Sequence, residues 1–201
     1  MCGNGFRLRA VRASILGSLP LNLWTRTPMP HILPYNSISP KIDDSAYIAE
    51  NAVVTGDVEI GADSSIWYGC VLRGDVNAIR IGRGVNIQDG TVVHVARPYA
   101  CIIEDRVSIG HMALIHACTL EEGCFVGMKA CVMDGVVVEK GALVAASALV
   151  TPGKRVPAGE MWAGQPARFV RKVSDKDLAM MAYTQPNYVK LGREYKAEEQ
   201  S

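Results

Sequence analysis

Between Ile42 and Ile60 the chain reads IDDSAYIAENAVVTGDVEI, with an aliphatic residue at every sixth position: Ile42, Ile48, Val54 and Ile60. The same step continues through Ile66 and Leu72. After a three-residue insertion it resumes at Ile81, Ile87 and Val93, and after a four-residue insertion at Ile103, Ile109 and Ile115. One residue is then dropped, and Leu120, Val126, Val132, Val138, Val144, Val150 and Val156 follow. All nineteen positions hold Ile, Leu or Val, which make up only about a quarter of the chain, so chance does not explain them. Two places earlier the side chain is small or slender, as at Ala46, Ala52, Val58, Ser64, Cys70, Val85 and Thr91, and so on to Ala148. Neither a helix of period 3.6 nor a plain strand of period 2 requires this pattern. A triangular coil of three short strands does, with the large aliphatic filling each face and the small residue fitting the corner. Repeats of six are the signature of a parallel β-helix, whose coils pair with one another and bury one continuous core.

The expected fold is therefore an all-β solenoid, a parallel β-helix of hexapeptide repeats over residues 34–158. The hexapeptide form resembles the left-handed β-helix, an exception to the usual right-handed crossover. Residues 1–30 read as a flexible N-terminal extension. Residues 159–201 read as a linker, with Trp162–Arg168, followed by C-terminal helices. Ser174-Asp175-Lys176-Asp177 is a capping box that opens the first of these. Leu178, Met181 and Ala182 line one face, Pro186 interrupts, and Tyr188, Leu191 and Tyr195 continue the stripe. The segment is expected to pack alongside the prism.

Composition agrees with one ordinary domain of 201 residues. The net charge of +1 argues against a dedicated nucleic-acid binder. No run of eighteen apolar residues predicts a membrane helix. Six cysteines without a CxxC pair or a secretory leader read as reduced intracellular thiols, with a cytoplasmic location expected. Cys70, Cys101, Cys118 and Cys124 fall in small-residue slots and read as packing thiols. Cys2 and Cys131 do not. Arg7, Arg9, Arg12 and Arg26 precede the first acidic residue, Asp43, as in a mitochondrial transit peptide. The other reading is that Met29 is the start and that the preceding stretch is an upstream segment or a tail.

The six-residue step also aligns residues between coils. Face one carries Ile42, Ile60, Ile81, Ile103, Leu120 and Val138. Face two carries Ile48, Ile66, Ile87, Ile109, Val126 and Val144. Face three carries Val54, Leu72, Val93, Ile115, Val132 and Val150. Immediately after the face-three residues lie Thr55, Arg73, His94, His116, Met133 and Thr151. Adjacent strands are about 4.8 Å apart, so His94 and His116 are stacked neighbours with Arg73 beneath. Two places past face two, His111 sits above Asp89, with Gln88 beside it. Three of the four histidines thus occupy two adjacent coils, whereas His31 stands alone. His111 diverges from the stacked pair, so one prism does not close around one ion. Two prisms side by side do, with His94 and His116 from one chain and His111 from its neighbour. A closed cyclic assembly satisfies every such site equivalently, which predicts a homotrimer with metal at each interface.

Three neutral imidazoles and an open fourth position are the composition of a catalytic zinc site, for which carbonic anhydrase is the established example. Leu72-Arg73-Gly74-Asp75, Asn86-Ile87-Gln88-Asp89-Gly90, His94, Ile109-Gly110-His111 and His116-Ala117-Cys118, in that order, resemble the γ-class carbonic anhydrase family over roughly residues 34–195. The resemblance implies a trimer holding Zn2+, or Fe2+ or Co2+, on His94, His116 and a neighbour's His111. It implies a structural or interface ion pair between Arg73 and Asp75, with Asp89 supporting the interface. Gln88 would bond the reacting water, with Asn86 nearby, and Tyr183 and Asn187 would line the site. The implied reaction is reversible hydration of carbon dioxide to bicarbonate by a metal-bound hydroxide. In well-known members a Glu follows the Arg-Gly-Asp; here it is Val76. Val95-Ala96-Arg97-Pro98-Tyr99-Ala100 replaces an acidic loop. Without those proton-exporting carboxylates, weak or conditional activity is expected. The alternatives are a hexapeptide acyltransferase, since Gly164–Arg168 resembles a segment found there, and a non-catalytic metal-binding scaffold.

Overall fold

A chain that places a large aliphatic inward at every sixth residue must turn three times to bring the pattern back into register. In the computed structural model, which describes residues 29–199, it does so for about seven coils of a left-handed parallel β-helix. Cys2 and most of the proposed extension, residues 1–28, lie outside the described residues.

The strand registers reproduce the three aligned columns. On face two Ile48 pairs with Ile66, Ile66 with Ile87, Ile87 with Ile109, and so on through Val126 to Val144. On face three Val54, Leu72, Val93, Ile115, Val132 and Val150 are successive partners. Face one stacks Ile42, Ile60, Ile81, Ile103, Leu120, Val138 and Val156. Faces one and three form a single twelve-stranded sheet, because the strands Val53–Ile60 and Val71–Ile81 run on from one face into the other. These side chains, and the small residues before them, form one continuous buried core. The thiols of Cys70, Cys101, Cys118 and Cys124 are all within it. Burial there penalises the thiolate and pushes Cys70 up to about 12, as befits inert packing groups.

The C-terminal region differs from the expectation in two ways. The linker after residue 158 is instead an antiparallel pair, Glu160–Gly164 with Ala167–Lys172, and Trp162 takes the next place on face two, opposite Val144. The expected helices are one, Asp175–Glu199 (α1), with Pro186 inside it. A proline within a helix removes one backbone hydrogen bond and costs about 3 kcal/mol. Packing offsets this: Tyr188 and Tyr195 meet Trp67 edge-on at 5.4 and 5.2 Å, and Tyr195 lies 5.7 Å from Tyr47. Gln185, just before the proline, donates to the Gly84 carbonyl at 3.1 Å. The capping box forms as read, with the Ser174 hydroxyl and amide both donating to Asp177. Helix α1 therefore lies along the first four strands of face two and leaves face three bare.

Candidate metal centre

On face three, residues alternate in and out, so the residue after each buried aliphatic points away from the core. Arg73, His94 and His116 are register partners in successive coils. His94 Nδ1 and His116 Nε2 are 3.1 Å apart, with ring centroids 5.1 Å apart. The strand that carries Arg73 also supplies Asp75, whose Oδ1 is 3.1 Å from His94 Nε2 and whose other oxygen pairs with Arg73. Gly74 makes this approach feasible, since a Cβ there would lie 2.5 Å from the Asp57 carbonyl oxygen. Burial alone would raise the Asp75 carboxyl, but hydrogen bonding to His94 and the Arg73 guanidinium hold it below the usual range.

A carboxylate stands behind each of the three histidines. Asp75 backs His94, Asp89 Oδ2 is 2.8 Å from His111 Nδ1, and Asp134 Oδ1 is 2.5 Å from His116 Nδ1. Sequence reasoning missed Asp134. It belongs to the coil above and reaches His116 diagonally, outside any straight column, and Asp134-Gly135 reads as an ordinary turn. Asn86, on a face-two strand, and Gln88, just past its end, are both buried. Gln88 donates to Asn86 Oδ1 at 3.0 Å, and Asn86 donates to the Ser108 hydroxyl at 2.8 Å. Tyr183, by contrast, lies on the outer side of α1 with 69% of its surface exposed, and Asn187 is half-buried on the same helix. Within the described residues of one chain, Tyr183 makes no contact with the histidines.

The donor set suits an imidazole-ligated metal. Two nitrogens 3.1 Å apart approximate the ~3.3 Å edge of a tetrahedron with zinc–nitrogen bonds of about 2.0–2.1 Å. The carboxylates at Nδ1 of His111 and His116 are the partners that usually orient metal-binding histidines. Among the described residues, however, no group of three His, Cys, Asp or Glu side chains converges to hold an ion. One chain brings two histidines together and leaves the third, His111, at the next corner.

An apolar stripe runs alongside the pair and its charged partners. Val92 and Leu114, outward in the same two coils, are 38% and 37% exposed, and Val71, Cys131 and Leu149 extend the stripe. Met112 and Met128 flank His111 and are more exposed still.

A family model, bacterial transferase hexapeptide (six repeats), matches residues 39–74. A carbonic anhydrase of Geobacillus kaustophilus is 38% identical to the chain, over 84% of the chain and 93% of the relative. The chain belongs to the γ-class carbonic anhydrase family. Gamma carbonic anhydrase 1, mitochondrial, of Arabidopsis thaliana is 50% identical over 166 residues, or 80% of this chain. The chain spans about 60% of that relative's length. Among solved structures, a hexapeptide transferase family protein from Anaplasma phagocytophilum is 47% identical with a TM-score of 0.79, over 82% of this chain and 98% of that one.

Two further features of this γ-class chain adjoin the residues of the pair, Val76 after Asp75 and residues 95–100 after His94. Val76, half-exposed, donates its amide to Asp75 and brings no carboxylate to the site. Residues 95–100 close a tight turn through paired Ala96–Tyr99 hydrogen bonds, and Asn77 clamps the turn by donating to the Ala96 and Arg97 carbonyls.

Proposed function

We propose that this chain hydrates carbon dioxide reversibly to bicarbonate at a metal held between copies of itself in a homotrimer. His94 and His116 from one chain and His111 from a second would hold zinc, with iron or cobalt as alternatives of the same ligand chemistry. The observation that carries this reading is the stacked pair, His94 and His116, on a bare apolar face that supplies only two of three ligands. When bound, the metal supplies acidification of water, bringing its pKa from 15.7 to about 7, as established for carbonic anhydrase zinc.

The chain's own residues do the rest. Asp89 would accept the Nδ1 proton of His111, so that Nε2 is the nitrogen left for the ligand. Asn86, itself anchored on Ser108, fixes the Gln88 amide, which would orient the attacking water. Arg73 and Asp75 brace His94 from below. The stripe of Val92 and Leu114 excludes water around the pair and gives a second copy its contact surface. A proton must still leave for solvent, and neither Val76 nor residues 95–100 offer a carboxylate for it. Turnover therefore leans on external buffer and is weak without it.

The acid-free, arginine-bearing stretch of residues 1–28, together with the mitochondrial designation of the Arabidopsis relatives, favours a mitochondrial over a cytoplasmic location. The test is metal analysis and mass measurement of the purified oligomer, with stopped-flow hydration at rising imidazole concentration. A trimer with one metal per chain and buffer-dependent hydration is expected. A metal-free monomer, or acyl-CoA turnover in its place, would overturn the reading.

A further inference from the structure

Of the three carboxylates behind the histidines, Asp134 has the shortest contact and is the one that lies off the aligned columns. We propose that Asp134 is a positioning residue that sets the ring orientation and tautomer of His116; this rests on the reading of His116 as a ligand. Its Oδ1 lies 2.5 Å from His116 Nδ1, one coil away. A carboxylate in that place accepts an Nδ1–H and cannot donate, so it selects the tautomer with its proton on Nδ1. The free lone pair is then on Nε2, the atom 3.1 Å from His94. Without the carboxylate the ring is free to flip or to carry its proton on Nε2, where no ligand bond can form.

The turn holding Asp134 is itself fixed from three sides. The Asp134 carbonyl accepts the Gly153 amide at 2.8 Å, and the Gly135 amide donates to Ala117, the neighbour of His116, at 2.8 Å. The third support is Tyr99, whose ring atoms would lie 3.5–3.8 Å from a Cβ at Gly135. Gly135 has φ +66°, a conformation that glycine adopts without strain. The loop after His94 thus buttresses the turn behind His116, so both histidines depend on one packed unit. That gives residues 95–100 a use in this chain other than proton export.

The experiment titrates Co2+ into the full-length oligomer against a competing chelator, for the native chain, Asp134→Ala, Asp134→Asn and, as a packing control in the same column as His116, Met133→Ala. Nitrogen-15 spectra of the metal-free proteins read the His116 tautomer. The expected result is a 10–100-fold loss of cobalt affinity in Asp134→Ala at unchanged melting temperature, with Asp134→Asn and Met133→Ala within about threefold of native. Asn retains an oxygen acceptor, so its rescue separates positioning from charge. The His116 proton should sit on Nδ1 in the native chain and be shared with Nε2 in Asp134→Ala. Native-like affinity in Asp134→Ala, equal losses in all three variants, or an unchanged tautomer would each overturn the proposal. Failure of the native chain to bind cobalt would instead sink the metal reading under Proposed function, and the tautomer measurement would still decide what Asp134 does to His116.

Discussion

Faces two and three of the prism obey one rule inside and opposite rules outside. Inward, Ile87 and Ile109 on one face match Val93 and Ile115 on the other, all fully buried. Outward, face two presents Tyr47, Ser65, Asn86 and Ser108, and every one is buried beneath helix α1. Face three presents Val71, Val92, Leu114 and Cys131 beside Arg73, His94 and His116, and among the described residues no helix covers them. The fit under the helix is close, since Gly192 has its ideal Cβ position only 3.3 Å from the Ser65 side chain. Interior repeats therefore fix the coil, while outward residues decide whether a face is sealed by the chain itself or by another molecule. Small polar groups and one aromatic ring suit a helix laid at close range; an aliphatic stripe beside imidazoles suits the second prism and shared ion proposed above.

That contrast is open to attack from several directions. His116→Ala removes a proposed ligand from face three and is expected to abolish metal binding and to lower hydration by at least ~10³-fold, read by metal analysis and stopped flow. Retention of metal would break the distinction at its root. Leu114→Arg places a charge in the apolar stripe and is expected to reduce the proposed trimer to single chains in sedimentation while circular dichroism stays native. Val76→Glu, which restores a carboxylate at the edge of that face, should raise buffer-free turnover roughly 10-fold or more and flatten its dependence on imidazole.

On the covered face the expected effects are on stability, with metal binding intact. Gly192→Leu forces α1 away from Ser65 and Tyr47 and is expected to cost about 1–3 kcal/mol in denaturant melts. Ser174→Ala removes the N-cap of the same helix at a cost of about 1 kcal/mol. The cap also carries a pH dependence of known sign. Hydrogen bonds from Arg171 and Ser174 hold the Asp177 carboxyl well below its ordinary value of 3.8. The folded form therefore binds this proton less readily than the unfolded form, and the contribution is complete above pH 3.8 and lost as pH falls below it. Asp177→Asn should flatten the acid limb of the stability profile. An unchanged limb would remove the cap from the account of how face two is sealed.

The six-residue step was enough to place Leu72, Val93 and Ile115, and hence to stack Arg73, His94 and His116, because a parallel coil converts spacing directly into register. It also located His111 above Asp89 and the four packing thiols. What escaped lay off the columns. Asp134 acts across a diagonal, and its contact depends on how far a turn bulges, which no periodicity encodes. The strand Ala167–Lys172 was hidden because Gly164 and Pro166 read as linker punctuation rather than as the reversal between two paired strands. Pro186 predicted a break that tertiary packing of Tyr188 and Tyr195 overrode.

The antiparallel strand Ala167–Lys172 occupies the last position in the face-two sheet and carries Arg168, Arg171 and Lys172. A rising stack of parallel rungs is otherwise a template that any like chain could lengthen, end upon end, into a polymer. Reversed polarity and crowded cations deny the next molecule that landing. Side-to-side contact is what remains, and in the threefold ring proposed above such contact closes on itself and growth stops.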